Sequence, residues 1–519
     1  MKIKTLFLAA VLAATAGVSA GCGPREDVGG GRDSAGNMTG TLNIMSFEGG
    51  YGKEWIKKIA ARYKKNNPRV TVNVKFTVTP SAEIANIEAG TASSDLYFMI
   101  DNMYRQVDLE NLVDISDVYD YVEEGQDKKL SERMNPYYVE AFRMDDGKYY
   151  LMPWSNSQEG MIYNKTVMDE YFPDGLDLPR TTDEMFEVFD RVKSKNIYAF
   201  CYSGKNDYLP YLFIPWWAQY EGLDAYYDYY QGYMTDAEGN RAFCKDAEVL
   251  NQQGRLEALK VLERMCKKSN GYQHKYTDSM DFMKMQLAFL GHGYNKDMTP
   301  SIFSTNGEWL ENEMDFALEE KPQELRFMRL PVISAIRDKT PTITDDAMLR
   351  AVVDYCDGIT SVLPAGVSEA DAKYVSDARR MANSVGQDHN VGIYAKSKAV
   401  ELAKDFLKFM TTEEAGKIYA NELNGLTLPY GSYDPVADNN PLSGYIRSKF
   451  EVMNNCIPVY QERKPILVYR GGLQAFRSKF GVKIFTEEQS ADDIMQSNYD
   501  FYHDNWRNIV KQAGLGHLL

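Results

Sequence analysis

Apolar positions between residues 41 and 100 switch repeatedly between two periods. Thr41 to Ser46 (TLNIMS) reads as a short strand, followed by the Gly-rich turn Phe47-Glu48-Gly49-Gly50-Tyr51-Gly52. From about Lys53 to Asn66, Trp55, Ile56, Ile59, Ala60 and Tyr63 recur at helical spacing, and Asn66-Asn67-Pro68 stops the run. Val70, Val72, Val74, Phe76 and Val78 then alternate with polar neighbours, the pattern of a strand with one buried face. Ser81 can cap a short helix to Gly90, and Leu96 to Ile100 reads as a fully buried strand. Strand, helix, strand, helix, strand predicts an α/β layer with a largely parallel sheet. Ligands of such sheets collect beyond the carboxyl ends of the strands. That singles out Ser46 to Tyr51 and Asp101-Asn102.

Helices dominate further along, at about 183–194, 254–268, 399–410, 412–424 and 490–510. Thr181 with Glu184, Thr411 with Glu414 and Thr486 with Gln489 fit capping boxes. Gly425 stands where the helix before it needs a stop, and Pro429 follows.

The amino terminus has a different pattern. Lys2 and Lys4 precede an uncharged run, Leu6 to Val18, then Ser19-Ala20-Gly21-Cys22. This is the layout of an export signal, too short to span a bilayer permanently. S-A-G-C resembles a lipobox, with Ser19 where Leu is usual, so Cys22 is the expected lipidation site. Residues 23–40, rich in Gly and charge without periodicity, predict a flexible tether. No later run is long enough to cross a membrane.

Composition narrows the chemistry. The 519 residues include 58 Lys and Arg against 74 Asp and Glu, a net charge of −16, which argues against nucleic acid as a partner. After Cys22, five scattered cysteines make a poor disulfide or zinc framework and predict buried free thiols. G-x-S-x-G occurs only at Gly17 to Gly21, inside the signal. Gly49-Gly50-Tyr51-Gly52-Lys53 is not a P-loop, because Phe47 and Glu54 occupy required positions. Neither the five histidines nor the calcium-loop fragments at Asp145 and Asp236 complete a metal site. No cofactor is expected, and no local signature supports an enzyme.

One segment is unusual. Between Tyr208 and Tyr233 eleven of twenty-six residues are aromatic, interleaved with Pro210, Pro215, Gly222 and Gly232. Rings so spread around a helix predict that some face a groove, where they would stack on the C–H faces of a sugar.

Together these landmarks resemble the extracellular solute-binding proteins of ABC importers, the superfamily of maltose-binding protein and the longer Gram-positive sugar-binding lipoproteins. The residues that carry the likeness are S-A-G-C, T-L-N-I-M-S with its helix, S-D-L-Y-F-M-I-D-N at Ser94, G-K-Y-Y-L-M-P-W at Gly147, M-I-Y-N-K at Met161, L-P-R-T-T-D-E-M-F at Leu178, G-E-W at Gly307, A-K-D-F-L-K-F-M at Ala403 and G-L-T-L-P at Gly425. The resemblance implies a type II periplasmic-binding-protein-like fold, with two α/β lobes that close on ligand about a hinge. Lobe one would comprise 41–153 plus 330–425, and lobe two 154–329 plus 426–519, with crossovers near Pro153, Leu330-Pro331 and Thr427 to Pro429. It implies ligand contacts at Glu48, Tyr51, Asp101, Trp154, Asn156, Trp216, Trp217 and Trp309, with the acids accepting hydroxyls and the tryptophans stacking on pyranose rings. The implied protein is a monomeric, non-enzymatic receptor, lipid-anchored through Cys22 on the outer face of a bacterial cell membrane. It would deliver a carbohydrate, an oligosaccharide by preference, to permease subunits. Its rivals are the same fold holding a peptide or polyamine, a glycan-capture protein without a transporter, and a secreted hydrolase.

Overall fold

The computed structural model describes residues 29–519 except 237, 294–295, 454, 461–465, 470 and 475–479. The signal segment, Cys22 and residues 23–28 lie outside the described residues. Fourteen strands are described, namely β1 (Gly31–Arg32), β2 (Met38–Phe47), β3 (Val70–Thr77), β4 (Leu96–Met99), β5 (Leu151–Pro153), β6 (Gln158–Asn164), β7 (Tyr198–Cys201), β8 (Tyr233–Thr235), β9 (Arg241–Phe243), β10 (Ser301–Gly307), β11 (Leu325–Phe327), β12 (Met381–Ser384), β13 (Asn390–Ile393) and β14 (Ile457–Tyr460).

They sort into two six-stranded sheets and a hairpin, β8–β9. The first sheet runs β1-β2-β4-β13-β5, with β3 on β2; β2 is parallel to β3 and β4, and β13 is antiparallel to β4 and β5. The second runs β14-β12-β6-β10-β7, with β11 on β6; the pairs β10–β7 and β12–β14 are parallel, and β6 runs against its neighbours. Each sheet carries one lobe. The helix Glu54–Asn66 turns Trp55, Ile56, Ile59, Ala60 and Tyr63 inward, which is the face the helical spacing marked.

Chain crossings fall where strands change sheets. The first follows Pro153, between β5 and β6, and the second lies between β12 and β13. The third separates the helix Glu413–Glu422, packed on the first lobe, from Gly444–Met453, packed on β11. The expected crossover at Leu330-Pro331 is therefore corrected. Residues 330–384 stay with the second lobe, because β12 pairs with β6 and β14 and because Val332, Ile333, Ile336, Leu349, Val352 and Val353 bury in that lobe's core.

Two further expectations change. Part of the supposed tether is ordered: β1 pairs with the start of β2, Gly30 N–H bonds Lys398 O at 3.2 Å, and Arg32 pairs with Asp405 at 3.1 Å. The hairpin satisfies backbone groups that a free tether would leave to water. The last long helix, Ala491–Gln512, is capped by a Ser490–Asp493 box; Thr486 lies inside the preceding helix, Phe480–Glu487. Cys201, Cys244 and Cys266 are buried free thiols, and Cys356 and Cys456 are half-buried ones. Among the described residues no helix is long and apolar enough to cross a membrane.

Candidate functional site

The loops after β2, β4, β10 and β12 meet where the two sheets approach, at the carboxyl ends of those strands. Tyr51, from the Gly-rich loop after β2, reaches out of the first lobe into this junction. Its Oη lies 2.9 Å from Ser155 Oγ and 3.1 Å from Ser157 Oγ in the first crossover, and it donates to Glu308 Oε1 at 3.3 Å on the second lobe. Burial, reinforced by the Glu308 charge, holds the Tyr51 hydroxyl well above its ordinary value, so it is a neutral donor. The other Glu308 oxygen pairs with Lys449 at 2.6 Å, and both side chains are almost wholly enclosed.

An aromatic group surrounds this point. Trp309 lies nearly parallel to His389 with centroids 6.4 Å apart, and Tyr51 sits 6.3 Å from Trp309 and 5.4 Å from His389. Burial lowers His389 to about 4, which leaves the imidazole neutral at neutral pH. On the second lobe Tyr208 and Tyr211, at the start of the helix Pro210–Glu221, place their rings 5.0 Å apart. Burial raises both hydroxyls, and Glu159 and Glu313 add to the effect.

Polar groups with spare capacity lie beside the rings. Glu159 accepts Asn383 Nδ2 and Val385 N–H, both at 3.1 Å, through Oε2, while its Oε1 and Asn383 Oδ1 have no hydrogen-bond partner among the described residues. Burial, with the Glu308 charge second, pushes Glu159 well above the usual carboxylate range. Asp388 faces Arg105 at 3.3 Å; burial raises it, Arg105 opposes that, and Asp101 adds to it. Glu313 accepts Gln286 Nε2 at 2.6 Å.

Of the eight ligand contacts expected, Tyr51, Trp309 and Asp101 come together here. Asp101 is half-buried, and its carbonyl accepts Asn390 Nδ2 at 2.9 Å. Glu48 follows β2 but is tied to Lys53 at 2.6 Å. Two of the eight hold the hinge. Trp154 is fully buried, stacked on Trp55 at 5.4 Å and bonded through Nε1 to Met99 O at 2.9 Å. Asn156 Nδ2 bridges the first and third crossovers, 2.9 Å from Thr427 Oγ1.

Trp216 and Trp217 are corrected outright: neither is exposed at all. Trp216 Nε1 donates to Pro331 O at 2.9 Å, and Trp217 Nε1 to Gln252 Oε1 at 2.7 Å. The helix that carries them packs against β6, β12 and β14 and against the helices Leu223–Gln231, Gln253–Cys266 and Glu369–Arg380. A helix covered on every side can be apolar all round. Tyr226, Tyr227, Tyr229 and Tyr230 are likewise buried, so the aromatic segment is mostly core. Only its leading edge, Tyr208 and Tyr211, reaches the junction. Sequence reasoning missed Glu159, Glu308, Asp388 and His389, which gather only through strand pairing between distant segments.

Two lobes that share crossovers and enclose polar and aromatic groups between strand ends define a two-lobed binding protein. The profile of the bacterial extracellular solute-binding protein family matches residues 49–417, and the chain belongs to that family. It is 22% identical over 239 residues to the melibiose/raffinose/stachyose-binding protein MelE of Bacillus subtilis, covering 44% of this chain and 46% of that one. It is 24% identical over 149 residues to the multiple sugar-binding protein of Streptococcus mutans, covering 29% and 33%. The chain thus matches less than half the length of these curated relatives. Among solved structures it is similar to RafE of Streptococcus pneumoniae, with TM-score 0.57 and 15% identity over 90% of this chain and 98% of that one. RafE in complex with raffinose gives TM-score 0.55 over 90% and 99%. The GacH receptor of Streptomyces glaucescens, with a TM-score of 0.57 and 14% identity, covers 91% and 99%. These likenesses establish the two-lobed fold.

Proposed function

We propose that this chain captures a carbohydrate, an oligosaccharide by preference, outside the cytoplasm and hands it to the membrane subunits of an ABC importer. The observation that carries the reading is the junction itself. Trp309, His389, Tyr51, Tyr208 and Tyr211 supply flat faces beside Glu159 and Asn383, whose polar atoms have spare hydrogen-bonding capacity. Rings that cover C–H faces and fixed polar atoms that take hydroxyls are the two things a pyranose needs. Sugar-binding relatives in two genera support the same reading. Trp309 and Tyr51 serve as contacts from opposite lobes, and Asp101 and Glu48 offer carboxylates at the first lobe's strand ends.

The receptor is non-enzymatic, works as a monomer and is held at the outer face of the membrane by lipid on Cys22. A thermal-shift panel of mono- and oligosaccharides tests the central claim, since a ligand that binds only the native state raises the melting temperature. At least one sugar is expected to do so. Peptides or polyamines shifting it while no sugar does would overturn the carbohydrate reading, and cleavage of any panel glycan would overturn the receptor reading.

A further inference from the structure

Glu308 and Lys449 form an ion pair with side chains 0% and 2% exposed, both on the second lobe. An enclosed pair of this kind has given up its water, and it persists only where further hydrogen bonds and packing compensate. Here the compensation comes largely from the other lobe and the crossover. Tyr51 Oη donates to Glu308 Oε1 at 3.3 Å, and Ser155 Oγ lies 3.1 Å from the same oxygen. The backbone beside them is under constraint, because Ser157 adopts φ 40°, a region that non-glycine residues seldom occupy. The same Tyr51 hydroxyl, 3.1 Å from Ser157 Oγ, holds that turn.

We propose that Tyr51, Glu308 and Lys449 form an interlobe clasp that sets how readily the hinge opens, whatever solute the cleft takes. While the lobes approach, Tyr51 supplies the hydrogen bond that the buried carboxylate needs. Once they part, Tyr51 withdraws and Glu308 and Lys449 meet water. The clasp biases the unloaded receptor toward approach, and solute competes only for what remains of the opening equilibrium.

The test uses the purified full chain without added sugar. Tyr51→Phe keeps the ring contacts with Trp154, Trp309 and His389 and removes only the hydroxyl. Small-angle scattering should show a larger radius of gyration for this variant, and the amides of residues 155–157 should exchange with deuterium about tenfold faster, as loss of a hydrogen bond to a charged acceptor implies. The double variant E308Q/K449M, which removes both charges together, should show the same two changes. An unchanged radius and unchanged crossover exchange in both variants would overturn the clasp. So would a fall in melting temperature without either change, because a purely structural role predicts that pattern.

Discussion

Replacing Trp217 by alanine separates core packing from ligand contact at the most aromatic part of the chain. The indole lies 4.6 Å from Tyr226 and 4.9 Å from Tyr229, both edge-on, and 5.8 Å from Phe213, with the Arg255 guanidinium 5.4 Å from its ring. Removing such a side chain from an enclosed site costs about 3–5 kcal/mol. Gln252 Oε1, which accepts the indole N–H at 2.7 Å, loses that partner, which adds about 1–3 kcal/mol. The sum, about 4–8 kcal/mol, is comparable with the total stability of many domains, about 5–15 kcal/mol. At about 2–4 °C per kcal/mol for a lobe of this size, the second lobe should melt at least about 8 °C lower without any ligand. Differential scanning calorimetry of the empty protein measures this directly. If W217A melts with the wild type but loses the sugar-induced shift, Trp217 faces ligand and the core assignment is wrong.

Trp309→Ala should behave in the opposite way, abolishing the sugar-induced melting shift while lowering the empty protein's melting temperature much less than W217A does. Glu159→Gln should cost less stability at neutral pH than Glu159→Ala, since the amide oxygen can still accept Asn383 Nδ2 and Val385 N–H. Glu159→Ala should cost about 1–3 kcal/mol in urea unfolding by stranding Asn383 Nδ2 and Val385 N–H. His389 and His274 are each lowered from 6.5 to about 4 by burial. The unfolded chain therefore binds protons between those values that the folded chain refuses, and stability should fall as pH drops from about 6.5 to 4, by as much as about 3 kcal/mol per histidine; urea titrations at stepped pH measure it. Cys22→Ser should move the protein from the membrane fraction to the medium or periplasm, with loss of the diacylglyceryl mass.

Local pattern made the first lobe's elements legible. Every apolar residue assigned to the inner face of the helix Glu54–Asn66 is buried, β3 begins where the alternation starts, and β4 begins at the first residue of the continuous apolar run. What the pattern could not supply was the sheet to which a distant strand returns. Nothing local in Met381–Ser384 says that it pairs with β6 and β14 and so keeps residues 330–384 in the second lobe. Pairing partners are set by the hydrophobic surface each lobe must cover, and a linear reading of elements does not contain that surface.

The same limit explains the site. The end of the first strand marks Tyr51, whereas only the resemblance carried in G-E-W marks Trp309, and both lie at the junction. Trp216 and Trp217 misled because density of aromatic residues reports how much apolar surface a segment buries, and says nothing about which side is buried. A helix walled by a sheet and three helices spends all its rings on packing, and only Tyr208 and Tyr211, where that wall ends, reach the junction. Glu159, Asn383 and Asp388 carry no local signature at all: they are ordinary polar residues until β12 is laid beside β6. For a two-lobed receptor whose chain crosses between lobes, the chemistry of the cleft is therefore written in strand order more than in composition. Substitutions at the ends of β6, β10 and β12 should accordingly change solute preference more than substitutions anywhere in the aromatic segment beyond Tyr211, and a binding panel run across both sets of variants measures that difference.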